Sequence, residues 1–122
     1  MRNLDKTTRM IKKAFHRWAR PLGLLWWHID TIYYDDHAEI VDRFLRGDET
    51  VAARTYADWR YMTARIEINL IAFSKMDQDE IERVVVHELI HILVNEMREG
   101  DISHEERVVT TLTKAAFWLT DK

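Results

Sequence analysis

The chain has 122 residues but contains no cysteine, only one proline and only three glycines. The absence of cysteine excludes disulfides, iron–sulfur clusters and thiolate zinc sites, so any metal ion must be held by His, Asp or Glu. The sequence also lacks an apolar run long enough to span a bilayer, and its first residues lack the apolar core of a signal peptide. We therefore expect a cytoplasmic protein, and the 47% hydrophobic content predicts one globular domain over residues 1–122.

Charge is distributed unevenly along the chain. The net charge is -3, yet residues 1–20 carry seven Lys or Arg against one Asp. In this segment the basic residues accompany apolar ones at helical spacing, including Leu4, Ile11 and Trp18, which predicts a basic amphipathic helix over about residues 4–19. Such a helix could contact nucleic acid or a membrane surface, or pack by its apolar side and leave its lysines in water. We favour packing.

The most informative motif is His87-Glu88-Leu89-Ile90-His91, which lies within an apolar run. Asp77 and Glu80 have the spacing of a capping box, so a helix should begin there, pass through the motif and end near Arg98, before Gly100. Two histidines four residues apart share one face of a helix and can bind the same metal ion. Glu88 would then point toward the same pocket.

The remaining segments predict a small sheet and further helices. Apolar residues predict a strand at about residues 25–33, with Trp26 and Trp27 in the core. Residues 36–45 have helical spacing with Gly47 as a stop, although a loop is the alternative. Two period-two runs, residues 51–57 and 61–70, predict an antiparallel hairpin. These elements indicate an α+β fold, with a small antiparallel or mixed sheet of about three strands packed on the motif helix and flanking helices.

A third metal ligand must come from outside the motif, because zinc sites of this kind use three protein ligands. Ser103 and Glu106 form a second possible capping box, opening a last helix whose predicted buried stripe is Val108, Val109, Leu112, Ala116 and Leu119. The candidates that follow the motif are Glu96, Glu99, Asp101, His104, Glu105 and Glu106. Glu105 shares the predicted stripe, whereas Glu106 is phased with Thr110 and Thr113 and has a competing role in the cap. Glu105 is therefore favoured, followed by Glu106 and then His104.

These residue types suit metal-assisted hydrolysis. Zinc lowers the pKa of a bound water to about 7, which provides a nucleophile at neutral pH. Glu88 can take a proton from that water and later give it to the leaving group, as general base and then general acid. Candidates for stabilising an oxyanion are His104, Tyr33, Tyr34 and Tyr56.

Three segments together resemble the zincin metallopeptidases, specifically small gluzincin-like proteins of the ImmA/IrrE type and phage-encoded metallopeptidases. They are Trp26 to Asp30, the strand Ala64 to Leu70, and Val86 to His91 followed by His104 to Val109. The resemblance implies that His87 and His91 are zinc ligands, Glu88 the acid/base and one of Glu105 and Glu106 the third ligand. It also implies that Ala64 to Leu70 is an edge strand on which an extended peptide substrate pairs. SprT-like proteases, which use a third histidine, are the second placement.

The preferred hypothesis is a zinc metallopeptidase that hydrolyses peptide bonds in extended protein or peptide segments. A zinc-stabilised regulatory or binding protein without proteolytic activity, acting in a phage or mobile-element context, is the main alternative. Replacement of Glu88 by Gln separates the two, because only hydrolysis requires the carboxylate. A third interpretation, a metal-free helical interaction protein, predicts no bound zinc and no effect of chelators on stability.

Overall fold

The computed structural model describes residues 4–47, 49–95 and 105–120. The helices in these residues are α1 (Leu4–Ala19), α2 (His37–Phe44), α3 (Leu70–Phe73), α4 (Gln78–Val94) and α5 (Glu105–Thr120). The strands are β1 (His28–Tyr34), β2 (Leu45–Arg46), β3 (Glu49–Thr50), β4 (Ala53–Asp58) and β5 (Thr63–Asn69). The fold is α+β with a small mixed sheet, as the sequence predicted. Within the described residues, none of the helices is long and apolar enough to cross a membrane.

Three strands form the main sheet in the order β1-β5-β4. β4 and β5 form the predicted antiparallel hairpin, with Thr55 opposite Ile66, while β1 pairs in parallel with β5 on its other side. The expectation that Ala64 to Leu70 forms an edge strand is therefore wrong. β5 is central because the distant β1 occupies its second edge, and the edge next to the motif helix is β4. A separate two-stranded ribbon, β2 with β3, precedes β4.

The first strand begins later than the sequence predicted. Residues 20–27 form tight turns, in which the amide of Leu24 donates to the carbonyl of Ala19 and that of Trp27 to Leu24. Gly23 adopts a φ of +78°, a conformation that costs glycine little. The turns leave Trp26 82% exposed, so its predicted place in the core is wrong, whereas Trp27 packs against the core.

The basic helix α1 packs on α4 through its apolar side. Ile11, Ala14 and Trp18 are buried. The carboxylate of Glu82, itself buried in α4, accepts hydrogen bonds from the Trp18 indole N–H at 2.9 Å and from the Arg17 guanidinium at 2.8 Å. The packing interpretation of α1 is confirmed, since its apolar residues are used in the core.

Helix α4 is held between the sheet, α1 and α5. Its N-terminus carries the predicted capping box, in which the Glu80 amide donates to Asp77 at 2.9 Å and the Asp77 amide donates to Glu80 at 3.2 Å. The core side of the helix is apolar and almost fully buried: Ile81, Val85, Val86, Leu89, Ile90 and Ile92. The predicted end of this helix near Arg98, and the predicted cap at Ser103, lie outside the described residues.

The inward face of α5 differs from the predicted stripe. Val109 and Thr113 are buried, whereas Val108, Leu112 and Leu119 are 36%, 44% and 65% exposed. Apolar residues occur on several sides of this helix, so its sequence alone does not distinguish one buried face. The observed face also includes the position of Glu106, because 106, 109 and 113 recur at helical spacing.

Candidate metal centre

A cavity of about 750 Å³ lies between the edge strand β4 and the helices α4 and α5. The residues that line it from the strand side are Val51, Ala52, Ala53, Arg54, Thr55 and Tyr56, with Arg46, Glu49 and Thr50 from the ribbon. Those that line it from the helices are Arg83, Val84, His87, Glu88, His91, Glu106, Thr110, Thr113 and Lys114. All three polar residues of the motif therefore face one cavity.

The two histidines lie on the side of α4 that is turned away from the core. Their ring centroids are 4.9 Å apart and the ring planes are inclined by 73°. The His91 side chain is 10% exposed and that of His87 26% exposed. One helical turn thus places both imidazoles side by side at the wall of the cavity, as the four-residue spacing predicts.

Helix α5 brings a carboxylate to both imidazoles. The Glu106 side chain spans the pair, with Oε2 at 3.1 Å from Nε2 of His87 and Oε1 at 2.9 Å from Nε2 of His91. His87, His91 and Glu106 each offer a ligand atom, and these atoms all lie within 4.8 Å of one another. Of the described residues, these form the group of His and carboxylate side chains that could hold a metal ion.

Glu105 lies beside the same site but reaches a different atom. Its Oε2 is 2.8 Å from Nδ1 of His91, and its side chain is only 13% exposed. A ligating histidine commonly donates its second ring N–H to a carboxylate, which fixes the orientation of the ring. Glu105 occupies that orienting position, while Glu106 occupies the position next to both Nε2 atoms.

The chemistry of His91 suits a cation at this point. The ring has a carboxylate oxygen at each nitrogen. A neutral imidazole carries a single N–H and can donate only one of these hydrogen bonds. A metal ion held by His91 and Glu106 would leave Nδ1–H of His91 to donate to Glu105. Two imidazoles and one carboxylate are also a ligand set that zinc prefers.

Glu88 is the most deeply placed polar group of the motif. It is 7% exposed, and its Oε1 accepts a 2.7 Å hydrogen bond from the hydroxyl of Thr55 on β4. Burial raises the pKa of Glu88 above its ordinary value, and the nearby Glu106 acts in the same direction. The hydrogen bond from Thr55, followed by the charges of His87 and His91, opposes that rise in pKa.

A comparison with protein families identifies the group to which this arrangement belongs. The model of the family described as "Putative phage metallopeptidase" matches residues 28–115. The chain belongs to this phage metallopeptidase family. No curated protein and no solved structure matches the chain.

The region that matches the phage metallopeptidase family contains the whole candidate metal centre. It starts at His28 and therefore leaves α1 outside, although α1 contributes three buried side chains to the core. The motif residues, Thr55 and both glutamates lie inside it.

The sequence analysis of this phage metallopeptidase did not predict Thr55 as a residue of the candidate site. It occupies an inward position of β4, between Ala53 and Ala57 in the period-two pattern. The sequence did contain a signal for this residue: a hydroxyl at an inward strand position, flanked by two small residues on the same face. Such a hydroxyl needs a polar partner when it is buried.

Of the other candidates, Tyr56 lies at the cavity, whereas the rest lie elsewhere or outside the described residues. Tyr33 is on β1, separated from β4 by the central strand, and Tyr34 donates a hydrogen bond to Glu67 at 3.4 Å. Tyr56 lines the cavity, with the guanidinium groups of Arg54 and Arg65 at 5.4 and 4.8 Å from its ring centre. His104 lies outside the described residues, as do Glu96, Glu99 and Asp101.

Proposed function

We propose that the chain is a zinc-dependent peptidase in which His87, His91 and Glu106 hold the metal ion and Glu88 is the general base and acid. The observation that carries this proposal is the convergence of two imidazoles and a carboxylate from two helices, within 4.8 Å, beside a buried glutamate. A glutamate as third ligand supports a place among gluzincin-like proteins, near the ImmA/IrrE type, in preference to SprT-like proteases.

The choice of Glu106 over Glu105 rests on the imidazole nitrogens that each carboxylate reaches. Glu105 was favoured from a predicted stripe that includes Leu112 and Leu119, but both of these residues are exposed. Both glutamates lie one turn before the buried Val109, and the Glu106 side chain is the more exposed, 65% against 13%, but the Glu106 carboxylate contacts both Nε2 atoms, whereas that of Glu105 contacts Nδ1 of His91. We therefore assign Glu105 the role of orienting His91 through Nδ1.

Zinc held in this centre would supply a Lewis acid that acidifies a water molecule and polarises the substrate carbonyl. Glu88 accepts a proton from the attacking water as the new C–O bond forms, and delivers that proton to the amide nitrogen as the C–N bond breaks. In the metal-free protein, burial raises the pKa of Glu88, which is the direction in which a carboxyl group approaches a neutral working pH. Thr55 keeps the carboxylate turned toward the cavity.

The substrate is proposed to bind as an extended segment along β4. This strand has one edge paired with β5, and its residues Ala53 to Tyr56 line the cavity. A sheet edge presents backbone N–H and C=O groups that pair with an extended peptide. A peptide added to this edge would pass directly over the histidines and Glu88.

Metal content and peptidase activity test the proposal together. We expect about one zinc per wild-type chain, and loss of zinc in His91→Ala and Glu106→Ala. Glu105→Ala should retain the site with affinity reduced about 10- to 100-fold. Glu49→Ala is the matched control, because it removes a carboxylate from the same cavity away from the imidazoles, and it should bind zinc like the wild type.

Glu88→Gln separates catalysis from metal binding. The variant should bind zinc normally and lose cleavage of an unfolded protein substrate. If zinc were absent from the wild type after metal had been supplied, the peptidase proposal would fail. If Glu88→Gln kept full biological function, the zinc-stabilised binding protein would be the correct alternative.

A further inference from the structure

The cavity carries positive charge that the proposed chemistry does not use. Arg83 and Lys114 line it from α4 and α5, and both are exposed. Among the described residues, neither has a carboxylate within ion-pair distance, although the chain as a whole is acidic with a net charge of -3. Two unpaired cations at the wall of a cleft attract an anion more strongly than they would on an open surface.

The other cations of the cavity, Arg46 and Arg54, each have a neighbouring group on the strand side. Arg54 donates a hydrogen bond from Nη1 to the carbonyl of Arg43 at 2.7 Å and packs on Tyr56. Arg46 lies directly opposite Glu49 in the β2–β3 ribbon, where cross-strand side chains share a face and offset each other's charge. On the wall formed by the two helices, the side chains of Arg83 and Lys114 have neither a hydrogen bond nor an ion pair to another described residue.

Arg83 and Lys114 lie at the same end of the cavity. The Arg83 guanidinium is 4.9 Å from the ring centre of Phe117, a contact that holds the group without neutralising its charge. Lys114 precedes Phe117 by three residues, so it lies on the adjacent turn of α5. The ring that Arg83 contacts therefore belongs to the turn of α5 that follows Lys114.

The distance from the two cations to the proposed metal centre corresponds to a small number of residues of an extended substrate. Arg83 precedes His87 by one turn of α4, about 6 Å, and Lys114 follows Glu106 by about 12 Å of α5. An extended peptide advances about 3.3 Å per residue, so the cations lie about two to four residues from the bond that is cleaved.

We propose that Arg83 and Lys114 form a subsite for a substrate carboxylate, two to four residues from the scissile bond. The carboxylate belongs either to an Asp or Glu side chain or to the C-terminus of the peptide. This inference rests on the proposed peptidase function and adds its substrate class: acidic peptides, or peptides cleaved near their C-terminus. Arginine and lysine bind carboxylates through charge-assisted hydrogen bonds, which are stronger than neutral ones.

The test uses the zinc-loaded protein and a set of peptides whose other side chains are uncharged. In this set a single Glu is moved through four positions on each side of the scissile bond. Each peptide has a Gln and a Lys counterpart, and each is made with a free and an amidated C-terminus. We expect kcat/KM to rise on the order of ten-fold for Glu over Gln at one or two positions, and to fall for Lys. An effect that follows the free C-terminus instead identifies that carboxylate as the ligand.

Charge reversal assigns the effect to the subsite. Lys114→Glu changes an exposed side chain that makes no ion pair among the described residues, and it should reduce or invert the preference for Glu. Arg83→Gln should reduce the preference in the same way, while Lys13→Glu, on the exposed side of α1, is the matched control that leaves the preference unchanged. The preference should also weaken with added salt.

Binding of the same peptides to zinc-loaded Glu88→Gln, measured by fluorescence anisotropy, keeps the two proposals separate. Cleavage of Glu and Gln peptides at equal rates, with equal binding, would overturn the carboxylate subsite and leave the peptidase intact. Preferred binding of acidic peptides that Lys114→Glu abolishes, without cleavage by the wild type, would support the subsite and overturn the peptidase.

Discussion

Replacement of Thr55 by Val removes one hydrogen bond from the buried Glu88, the proposed acid/base group, and changes little else. Valine has nearly the same shape as threonine, and the hydroxyl it lacks is the group that donates to Oε1 of Glu88 at 2.7 Å. A hydrogen bond to a charged group contributes about 1.5–3 kcal/mol, and each 1.36 kcal/mol corresponds to a tenfold rate change. If that energy holds the carboxylate in its reactive position, kcat/KM should fall about 10- to 150-fold.

The pH dependence of kcat/KM gives the second, more specific readout. The Thr55 hydrogen bond lowers the pKa of Glu88 against the larger effect of burial, so its removal raises that pKa further. A general base is active when deprotonated, and the acidic limb of the profile should therefore move to higher pH in Thr55→Val. Thr55→Ser restores a hydroxyl and should restore most of the activity, and zinc content should be unchanged in both variants.

Two results would contradict this role of Thr55. Equal kcat/KM for Thr55→Val and Thr55→Ser, with acidic limbs at the same pH, would show that the hydroxyl does not control Glu88. A loss of zinc in Thr55→Val would instead place its effect on the metal centre.

Two further predictions concern stability. Because burial raises the pKa of Glu88, the folded metal-free protein holds this proton more tightly than the unfolded chain does. Its ionised form destabilises the fold at pH values above the ordinary value of 4.5. Glu88→Gln should therefore raise the melting temperature of the chelator-treated protein at pH 7.5, with a smaller gain at pH 4.5, and equal melting temperatures at pH 7.5 would contradict the assigned burial effect. Trp18→Phe removes one of two donors to the buried Glu82 and should lower the free energy of unfolding in urea by about 1–3 kcal/mol. Trp26→Phe, at a residue that is 82% exposed, should change it by less than about 0.5 kcal/mol, and similar losses in both variants would argue against the Glu82 contact.

Local features of the sequence predicted much of this structure. The Asp77 and Glu80 cap predicts the start of α4 because both hydrogen bonds lie within one turn. The alternation in residues 51–70 predicts the β4–β5 hairpin because neighbouring strands joined by a short turn pair readily. His87 and His91 lie side by side because four residues make about one helical turn, which is also a local effect. These features depend on residues no more than a few positions apart.

The sequence did not predict the contacts between distant segments. The parallel pairing of β1 with β5 makes β5 central, and nothing in either strand specifies that partner. Helix α5 has apolar residues on several faces, so only its packing against α4 shows that Glu106 points to both imidazoles. The contact between Thr55 and Glu88 joins residues 33 positions apart. Each of these features is determined by three-dimensional packing, which has no local sequence pattern.

The anchoring of α1 on α4 has a consequence for how the chain folds. Arg17 and its partner Glu82 are 65 positions apart, so at about 5–20 residues per second synthesis takes roughly 3 to 13 s to pass from one to the other. During that interval Ile11 and Trp18 have no α4 on which to be buried. The parallel β1–β5 pair is likewise non-local, and such contacts form slowly. The helix that carries His87 and His91 is therefore also the segment whose arrival allows the core to close.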